Sequence, residues 1–392
     1  MSLPGARHAS SRTRSIWPRI LRTVLVAVAV LAVSSASVVS IAAWRLSQRA
    51  GQGSVDIGQP VPDVTALDGA FTVLLVGADN APGQTGFGRN RDAALNDVNI
   101  LIHISADHRS GTVISLPRDL VIPHPSCTDP KTKEVYSAMS AQPLNVAISR
   151  GGLGCVVRTV QSLTGITVPY AALFSFEGTV KMADAVGGAP VCVTKAIDDT
   201  KSGLKLKKGV SVIKGRTALA YLRDRHSIGD GSDLSRIQSQ QAYMSALLRK
   251  TTSANTLANP VQLYTLADAA VQNITLSRSM SSTATMVRMA VALKSMDLSH
   301  LVFVQYPTLQ DPANHAKVVP NATLAAKLVS RVQHDQRIAL DSHSLGTAVQ
   351  SSGGTTSSPK PSASPTPTKT DSATVSGLQG RTAAQQTCSV AN

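Results

Sequence analysis

The sequence predicts an α/β layered domain, preceded by a membrane-spanning helix and followed by a disordered tail. Three observations carry this reading. From Phe71 onward, short β-rich apolar runs alternate with segments whose apolar residues recur at helical spacing. Before them, residues 23–44 contain no charged side chain. Beyond about residue 335 the chain turns to Ser, Thr, Pro and Gly without apolar periodicity.

The elements follow in order. Arg7, Arg12, Arg14, Arg19 and Arg22 all precede the first acidic residue, Asp56. The uncharged run from Thr23 to Trp44 would be about 33 Å long as a helix, enough to cross a bilayer core. Trp17 and Trp44 stand near its ends, where indole favours the membrane interface. Basic residues before the span predict a cytoplasmic segment over 1–22 and an extracytoplasmic location for everything after Trp44. The chain is thus expected to be a single-pass protein of the cell membrane. A cleaved signal peptide is the alternative, since Ser35, Ala36 and Ser37 are small enough for a cleavage site. Residues 45–69 read as a stalk, with Gly51, Gly53, Gly58, Pro60 and Pro62.

Residues 70–335 read as the folded domain. "FTVLLVG", "VNILIHIS", "GTVISL" and "APVCVT" are strand-like. "NVAISRGGLGCVVRTVQSLTG" and "FEGTVKMADAVGG" read as helices with glycine stops. "GRTALAYLR" and "LSRIQSQQAYMSALLRK" have helical apolar spacing. Residues 336–392 are expected to be disordered.

Composition narrows the partners. The 392 residues, 43% apolar, suffice for one large core, alone or with appendages. Aromatics at 3% argue against a stacking platform for single-stranded nucleic acid. A net charge of +15 points to anionic partners. The topology leaves only about twenty residues in the cytoplasm, so no nucleic acid is expected among them. Four cysteines suit an exported domain and match no zinc spacing. They can pair in three ways. Cys127 and Cys155 lie in loop-adjacent stretches and are the preferred disulfide; the pairing of Cys192 and Cys388 stays open.

The charge-bearing residues concentrate in a few places. Asp79 follows the first strand, where open α/β sheets place ligand sites. Asp97 opens the next strand. Two carboxylates at neighbouring strand ends can hold Mg²⁺, with Mn²⁺ as an alternative ion; each can equally be a turn or cap residue. Arg118 comes directly after "GTVISLP", and a surface pair with Asp119 is its bland reading. Gly77, Gly83, Gly86 and Gly88 lack the Lys-Ser/Thr ending of a phosphate loop.

"YLRDRHSIGDGSDLSRIQSQQ", residues 221–241, gathers three arginines and three aspartates. In an extended chain Arg223 and Arg225 would face one side. Asp233 can cap the helix that follows. Asp233, Arg236 and Gln240 then share one helix face. Guanidinium groups match phosphate oxygens two at a time, so a diphosphate held by arginines and a divalent cation would explain the crowding. A solvated ion-pair network explains it equally.

Taken together, the motifs resemble the LytR-CpsA-Psr family of cell-envelope proteins. The resemblance runs from about Phe71 to Lys250. It rests on "LLVGAD", "NDVNILIHISADHRSGTVISLPRDL", "LNVAISRGG", "FEGTVKMADAVGG", "GRTALAYLRDRH" and "DLSRIQSQQ", in family order. The N-terminal span and polar tail are similar to actinobacterial members. The resemblance implies a mixed β-sheet between helical layers. It also implies a Mg²⁺-dependent phosphotransferase that moves a glycopolymer from a polyprenyl-diphosphate carrier to peptidoglycan. Carried over by position, Asp79 and Asp97 would be the metal carboxylates. Arg118, Arg223, Arg225 and Arg236 would hold the diphosphate. Asp233 and Gln240 would orient those groups or the metal's waters, and Asp97 or Asp233 would be the general base.

The chain departs from the family at Leu95, where an arginine is common; Arg89 or Arg91 is the candidate replacement. "HSIGDG" also lengthens the link between Arg225 and Asp233. The carrier's lipid would need an apolar groove, which "AALFSFEGTVKMADAV" and "AYMSALL", read as helices, can line or simply fill as core. Three other functions compete. They are hydrolysis of the carrier diphosphate by the same site, a membrane-associated transcriptional attenuator, and a non-catalytic envelope scaffold.

Overall fold

The computed structural model describes residues 48–79, 94–130, 132–253, 260–352 and 373–392, with scattered positions before 48. The chain divides into two units, Met1–Gln48 and Arg49–Asn392. In the first, the few described residues, among them Arg22, Leu25 and Trp44, are helical. No helix among the described residues is long and apolar enough to cross a membrane. The expected span over 23–44 and the basic segment over 1–22 lie almost wholly outside the described residues, as does the glycine-rich stretch with Arg89 and Arg91.

The second unit is organised by a seven-stranded sheet. Its strands are β1 (Phe71–Asp79), β2 (Leu95–Ile104), β3 (Gly111–Leu116), β4 (Tyr170–Ser175), β5 (Ile274–Leu276), β6 (Leu301–Gln305) and β7 (Gly380–Thr382). In space they run β5-β4-β1-β2-β3-β6-β7. β1 pairs with β4 and β3 with β6 in parallel. The other four pairings are antiparallel, so the sheet is mixed.

Side-chain alternation gives this sheet two apolar faces. Leu74, Val76, Leu101 and Ile114 point to one side. Two helices cover it, α1 (Gly152–Thr164) through Val156 and Val160, and α7 (Ala322–Gln333) through Leu328 and Val332. Val73, Ile100, Val113 and Phe303 point to the other. There α4 (Asp233–Thr251) contributes Met244 and Leu248, and α6 (Thr283–Ser295) contributes Met289 and Ala292. The sheet between helical layers is the architecture expected.

Helix ends follow their local chemistry. The stretch read as one helix over 145–165 begins as two 3-10 turns and becomes α-helical only from Gly152. Gly165 ends it at φ +64°, a left-handed position that glycine adopts without strain. α2 (Phe176–Ala185) starts at Ser175, whose hydroxyl accepts from the Gly178 N–H, and stops before Gly187 and Gly188. "AALFS" is therefore not helical; it is β4, buried between β1 and β5. α3 (Gly215–Arg223) and α5 (Pro260–Asn273) are further helices.

A four-stranded sheet packs beside α3 and α4. Its order is Gly209–Ile213, Ala189–Val193, Thr387–Ser389, Val349–Ser351. This corrects the expectation of a disordered tail over 336–392. The described residues 338–352 and 373–392 are built into both sheets, and only 353–372 lie outside the description. Two features of low sequence visibility hold the C-terminus. The Cys192–Cys388 disulfide fixes it, and Arg381 is buried with its guanidinium donating to the Gln238 carbonyl at 3.2 Å. The Cys127–Cys155 disulfide is present as expected.

Candidate functional site

A β-bulge prepares the site. Gly77 pairs with Val98 and Ala78 with Asn96, so Asp97 is the extra residue, without a partner on β1. A bulge re-aims a side chain at a strand end. Glycine at 77 suits the tight approach, because a Cβ there would lie 3.0 Å from the Val98 Cβ. Asn96 is fully buried and anchors the bulge. Its Nδ2 donates to Asn99 Oδ1 at 2.7 Å and to the Leu144 carbonyl at 3.0 Å, and its Oδ1 accepts from the Ile148 N–H at 3.1 Å.

Arg118 follows β3 and donates from Nη1 to Asp97 Oδ1 at 2.6 Å. Asp233, the first residue of α4, is the second centre. Its Oδ1 lies 2.7 Å from Arg225 Nη2, 2.6 Å from Arg236 Nη2 and 3.7 Å from Arg118 Nε. Arg236 Nη2 also donates to the Asp97 carbonyl at 3.0 Å. Segments far apart in sequence thus meet through three guanidinium groups and two carboxylates. The sequence predicts Asp233 as the cap of its helix, and the structure corrects this. Ser232 takes that place, its hydroxyl accepting from the Ser235 N–H, and this leaves the Asp233 carboxylate to the arginines.

Asp119 and Lys317 join the cluster without having been singled out as site residues. Lys317 Nζ lies 2.5 Å from Asp119 Oδ1, and Asp119 Oδ2 lies 3.5 Å from Arg118 Nε and 3.7 Å from Arg225 Nη2. Nothing around Lys317 in the sequence marks it; only folding brings it near "PRD". Asp119 was visible as the neighbour of Arg118, but its link to Arg225 was not.

Arg223 is a correction. It is the last residue of α3, while Asp224 is extended, so Arg223 and Arg225 do not alternate along one strand. Arg223 is exposed, with its guanidinium carbon 4.3 Å from the centre of the Phe176 ring. Gln240 is buried, and its Nε2 donates to the Leu222 carbonyl at 3.0 Å, tying α4 to the end of α3. Asp79 ends β1, and its Oδ1 accepts from the Leu95 N–H at 2.9 Å. Leu95 thus shapes the site through its backbone.

Electrostatics bind the cluster together. Burial opposes the charge on Arg118, but Asp97, Asp233 and Asp119 outweigh it and raise its pKa. Arg236 goes the other way: burial, with Arg118 and Arg225 as like charges nearby, lowers its pKa despite Asp233. Burial would raise Asp119, yet the Lys317 bond and the charges of Arg118, Lys317 and Arg225 hold it below its ordinary value. Three buried donors, the Nε–H groups of Arg118, Arg225 and Arg236, have no hydrogen-bond acceptor, and neither has the buried Asp233 Oδ2 a donor. Orphaned groups of this kind in a protein interior are costly unless a ligand meets them.

The described residues contain no group of three or more His, Cys, Asp or Glu side chains able to hold a metal. Mg²⁺ does not require one, since it commonly takes one or two carboxylates plus substrate phosphates and water. Asp79 ends β1 and Asp97 bulges from the paired strand β2, so two carboxylates at adjoining strand ends offer oxygen of the kind such an ion takes.

Fold and site together define an α/β protein whose central strands present at their ends an arginine-rich, carboxylate-braced cluster suited to phosphate oxygens. The chain belongs to the LytR_cpsA_psr family, which matches residues 41–333. Over 295 residues it is 30% identical to the cell wall biosynthesis protein LcpA of Corynebacterium glutamicum, covering 69% of this chain and 57% of that protein. The chain therefore spans little more than half the length of that relative. Over 312 residues it is 25% identical to TagT of Bacillus subtilis, a polyisoprenyl-teichoic acid–peptidoglycan teichoic acid transferase, covering 76% and 89%. The fold is shared with solved structures. The LytR-Csp2A-Psr enzyme from Actinomyces oris has a TM-score of 0.53 at 24% identity, over 71% of this chain and 94% of that one. Protein gbs0355 from Streptococcus agalactiae has 0.56 at 21%, over 69% and 90%.

Proposed function

We propose that the chain is a phosphotransferase of cell wall biogenesis. It would move a glycopolymer from a polyprenyl-diphosphate carrier to peptidoglycan and leave a phosphodiester link. The observation that carries this reading is the set of buried, acceptor-less Nε–H groups on Arg118, Arg225 and Arg236 around Asp97 and Asp233. A diphosphate offers the oxygens these donors lack. The names of LcpA and TagT, a cell wall biosynthesis protein and a glycopolymer transferase, support the same reading.

In the proposed reaction a sugar hydroxyl of peptidoglycan attacks the phosphorus that carries the glycopolymer. A new P–O bond forms, the bond to the bridging oxygen breaks, and polyprenyl phosphate leaves. Phosphoryl transfer requires positioning and charge neutralisation more than covalent help from the protein. Arg118, Arg225 and Arg236 supply both at the phosphate oxygens. Asp97 or Asp233 takes the hydroxyl proton. Asp79 and Asp97 would hold a Mg²⁺ ion, which neutralises phosphate charge when bound. The apolar run over 23–44 would anchor the enzyme in the bilayer that holds its donor, with the domain outside the cell.

The test uses the purified protein, a polyprenyl-diphosphate-linked sugar donor and peptidoglycan oligomers, with and without Mg²⁺. Polymer attached to peptidoglycan only with Mg²⁺ is the expected result, lost in Asp97→Ala and Arg118→Ala. Phosphate release without attachment would turn the reading to a diphosphatase. Normal transfer by both variants would refute the site.

A further inference from the structure

Arg225 and Asp233 meet at 2.7 Å, yet the segment between them is neither helix nor strand. An extended chain of that length reaches about 27 Å, so something must hold its shape. Part of the answer is local. Asp224 Oδ2 accepts from the Ser227 hydroxyl at 2.5 Å, and Asp230 Oδ1 accepts from the Ser235 hydroxyl at 2.5 Å. Gly229 and Gly231 turn the chain at φ +63° and +79°.

The rest comes from the far C-terminal segment. The Gly229 N–H donates to the Val390 carbonyl at 2.9 Å, and the Asn392 N–H to the Ser227 carbonyl at 3.1 Å. The Asn392 side chain adds a third bond, from Nδ2 to the His226 carbonyl at 3.0 Å. Ile228 and Ala391 form an antiparallel bridge and are both buried, in one cluster with Ala348. The segment is itself held on its other side. Ser389 O accepts from the Thr194 N–H at 3.0 Å, and the Val390 N–H donates to the Ala348 carbonyl at 2.9 Å. The Ala391 N–H donates to Thr194 Oγ1 at 3.0 Å. A short strand thus links the second sheet to the loop that separates two site residues.

We propose that residues 389–392 are a positioning clasp for the site. They hold 226–229, and through it they set Arg225 against Asp233 before any ligand arrives, with Asn392 as the positioning residue at the tip. The clasp holds the middle of the 226–231 link, which the Ser227–Asp224 and Ser235–Asp230 bonds tether only toward its ends. It rests on the phosphotransferase reading, since it preorganises the arginines that would bind the diphosphate.

The experiment compares the full chain with Asn392→Ala, Asn392→Gln and Ala391→Arg, the last placing a large side chain against Ile228. Hydrogen exchange of amides 227–229 reports the loop, and calorimetric binding of inorganic pyrophosphate with Mg²⁺ reports the site. Asn392→Ala is expected to weaken pyrophosphate binding roughly threefold to tenfold, the range of one hydrogen bond, and to speed exchange of those amides similarly. Asn392→Gln should recover part of both, and Ala391→Arg should exceed Asn392→Ala. Wild-type exchange in all variants would overturn the clasp. Faster exchange with unchanged affinity would overturn it too, because the loop would then be held without serving the site. A wild-type chain that binds no pyrophosphate would overturn the phosphotransferase reading, and this inference with it.

Discussion

Arg118 and Asp97 are joined at 2.6 Å across two strand ends, one immediately past β3 and the other in the bulge of β2. The pair locks the exit of one strand to the entry of its neighbour. It also fixes a guanidinium group whose Nε–H remains without an acceptor.

Replacing Arg118 by Ala should therefore lower transfer by about 10²- to 10³-fold, the usual loss when a preorganised donor to developing charge is removed. Arg118→Lys keeps a charge but not the planar fork, and should recover less than a tenth of wild-type turnover. Turnover with labelled donor measures both, and circular dichroism checks that the sheet survives.

Arg223 provides the contrast. It is exposed over the Phe176 ring and takes no part in the ion pairs of the Asp97–Asp233 cluster. An exposed cation–π contact contributes about 0.5–1 kcal/mol. Arg223→Ala should thus change transfer by no more than about fivefold, whereas Arg225→Ala should cost at least tenfold. Equal, large losses in both would place Arg223 in the diphosphate site after all.

These opposite expectations show what the sequence could and could not reveal. β3 was legible because its apolar run ends at a proline, and Arg118 was legible as the residue that follows. Arg225, Asp233 and Arg236 were legible from their spacing around the start of α4. Arg223 was misplaced because it is the last residue of α3; a helix one residue shorter would have left it extended. Lys317 and the C-terminal strands were invisible for a different reason. Short strands such as Gly380–Thr382 carry too few residues for a period, and their pairing with β6 depends on contacts made across the whole chain. Compositional bias over 353–372 also obscures, in the sequence, the short strands on either side.

The pH dependence of stability should expose Asp119. Its folded pKa lies below the ordinary 3.8, through Lys317, Arg118 and Arg225 acting against burial. An acid depressed on folding contributes stability that is fully present above its unfolded pKa and lost as pH falls through its folded one. Asp119→Asn should accordingly cost about 2 kcal/mol between pH 5 and 8, the scale of a charge-assisted hydrogen bond. The difference from wild type should shrink below about pH 4. Urea unfolding at several pH values checks this, and a difference independent of pH down to pH 2 would contradict it.

The two disulfides should differ in what they contribute. Cys192–Cys388 closes 196 residues and Cys127–Cys155 closes 28. Chain entropy alone gives about 5 kcal/mol for the longer loop and about 3.5 kcal/mol for the shorter, because the larger closure removes more freedom from the unfolded chain. The longer crosslink also joins Thr387–Ser389 to Ala189–Val193, a pairing of only two residues in register. So short a strand is not stable alone. Cys192→Ser with Cys388→Ser should therefore lower the urea midpoint more than Cys127→Ser with Cys155→Ser. It should also speed exchange at amides 387–391 ahead of the β1–β3 core, where the central strands are buried on both faces. Equal midpoints for the two double variants, with exchange at 387–391 unchanged, would mean that strand pairing holds the C-terminus without the crosslink.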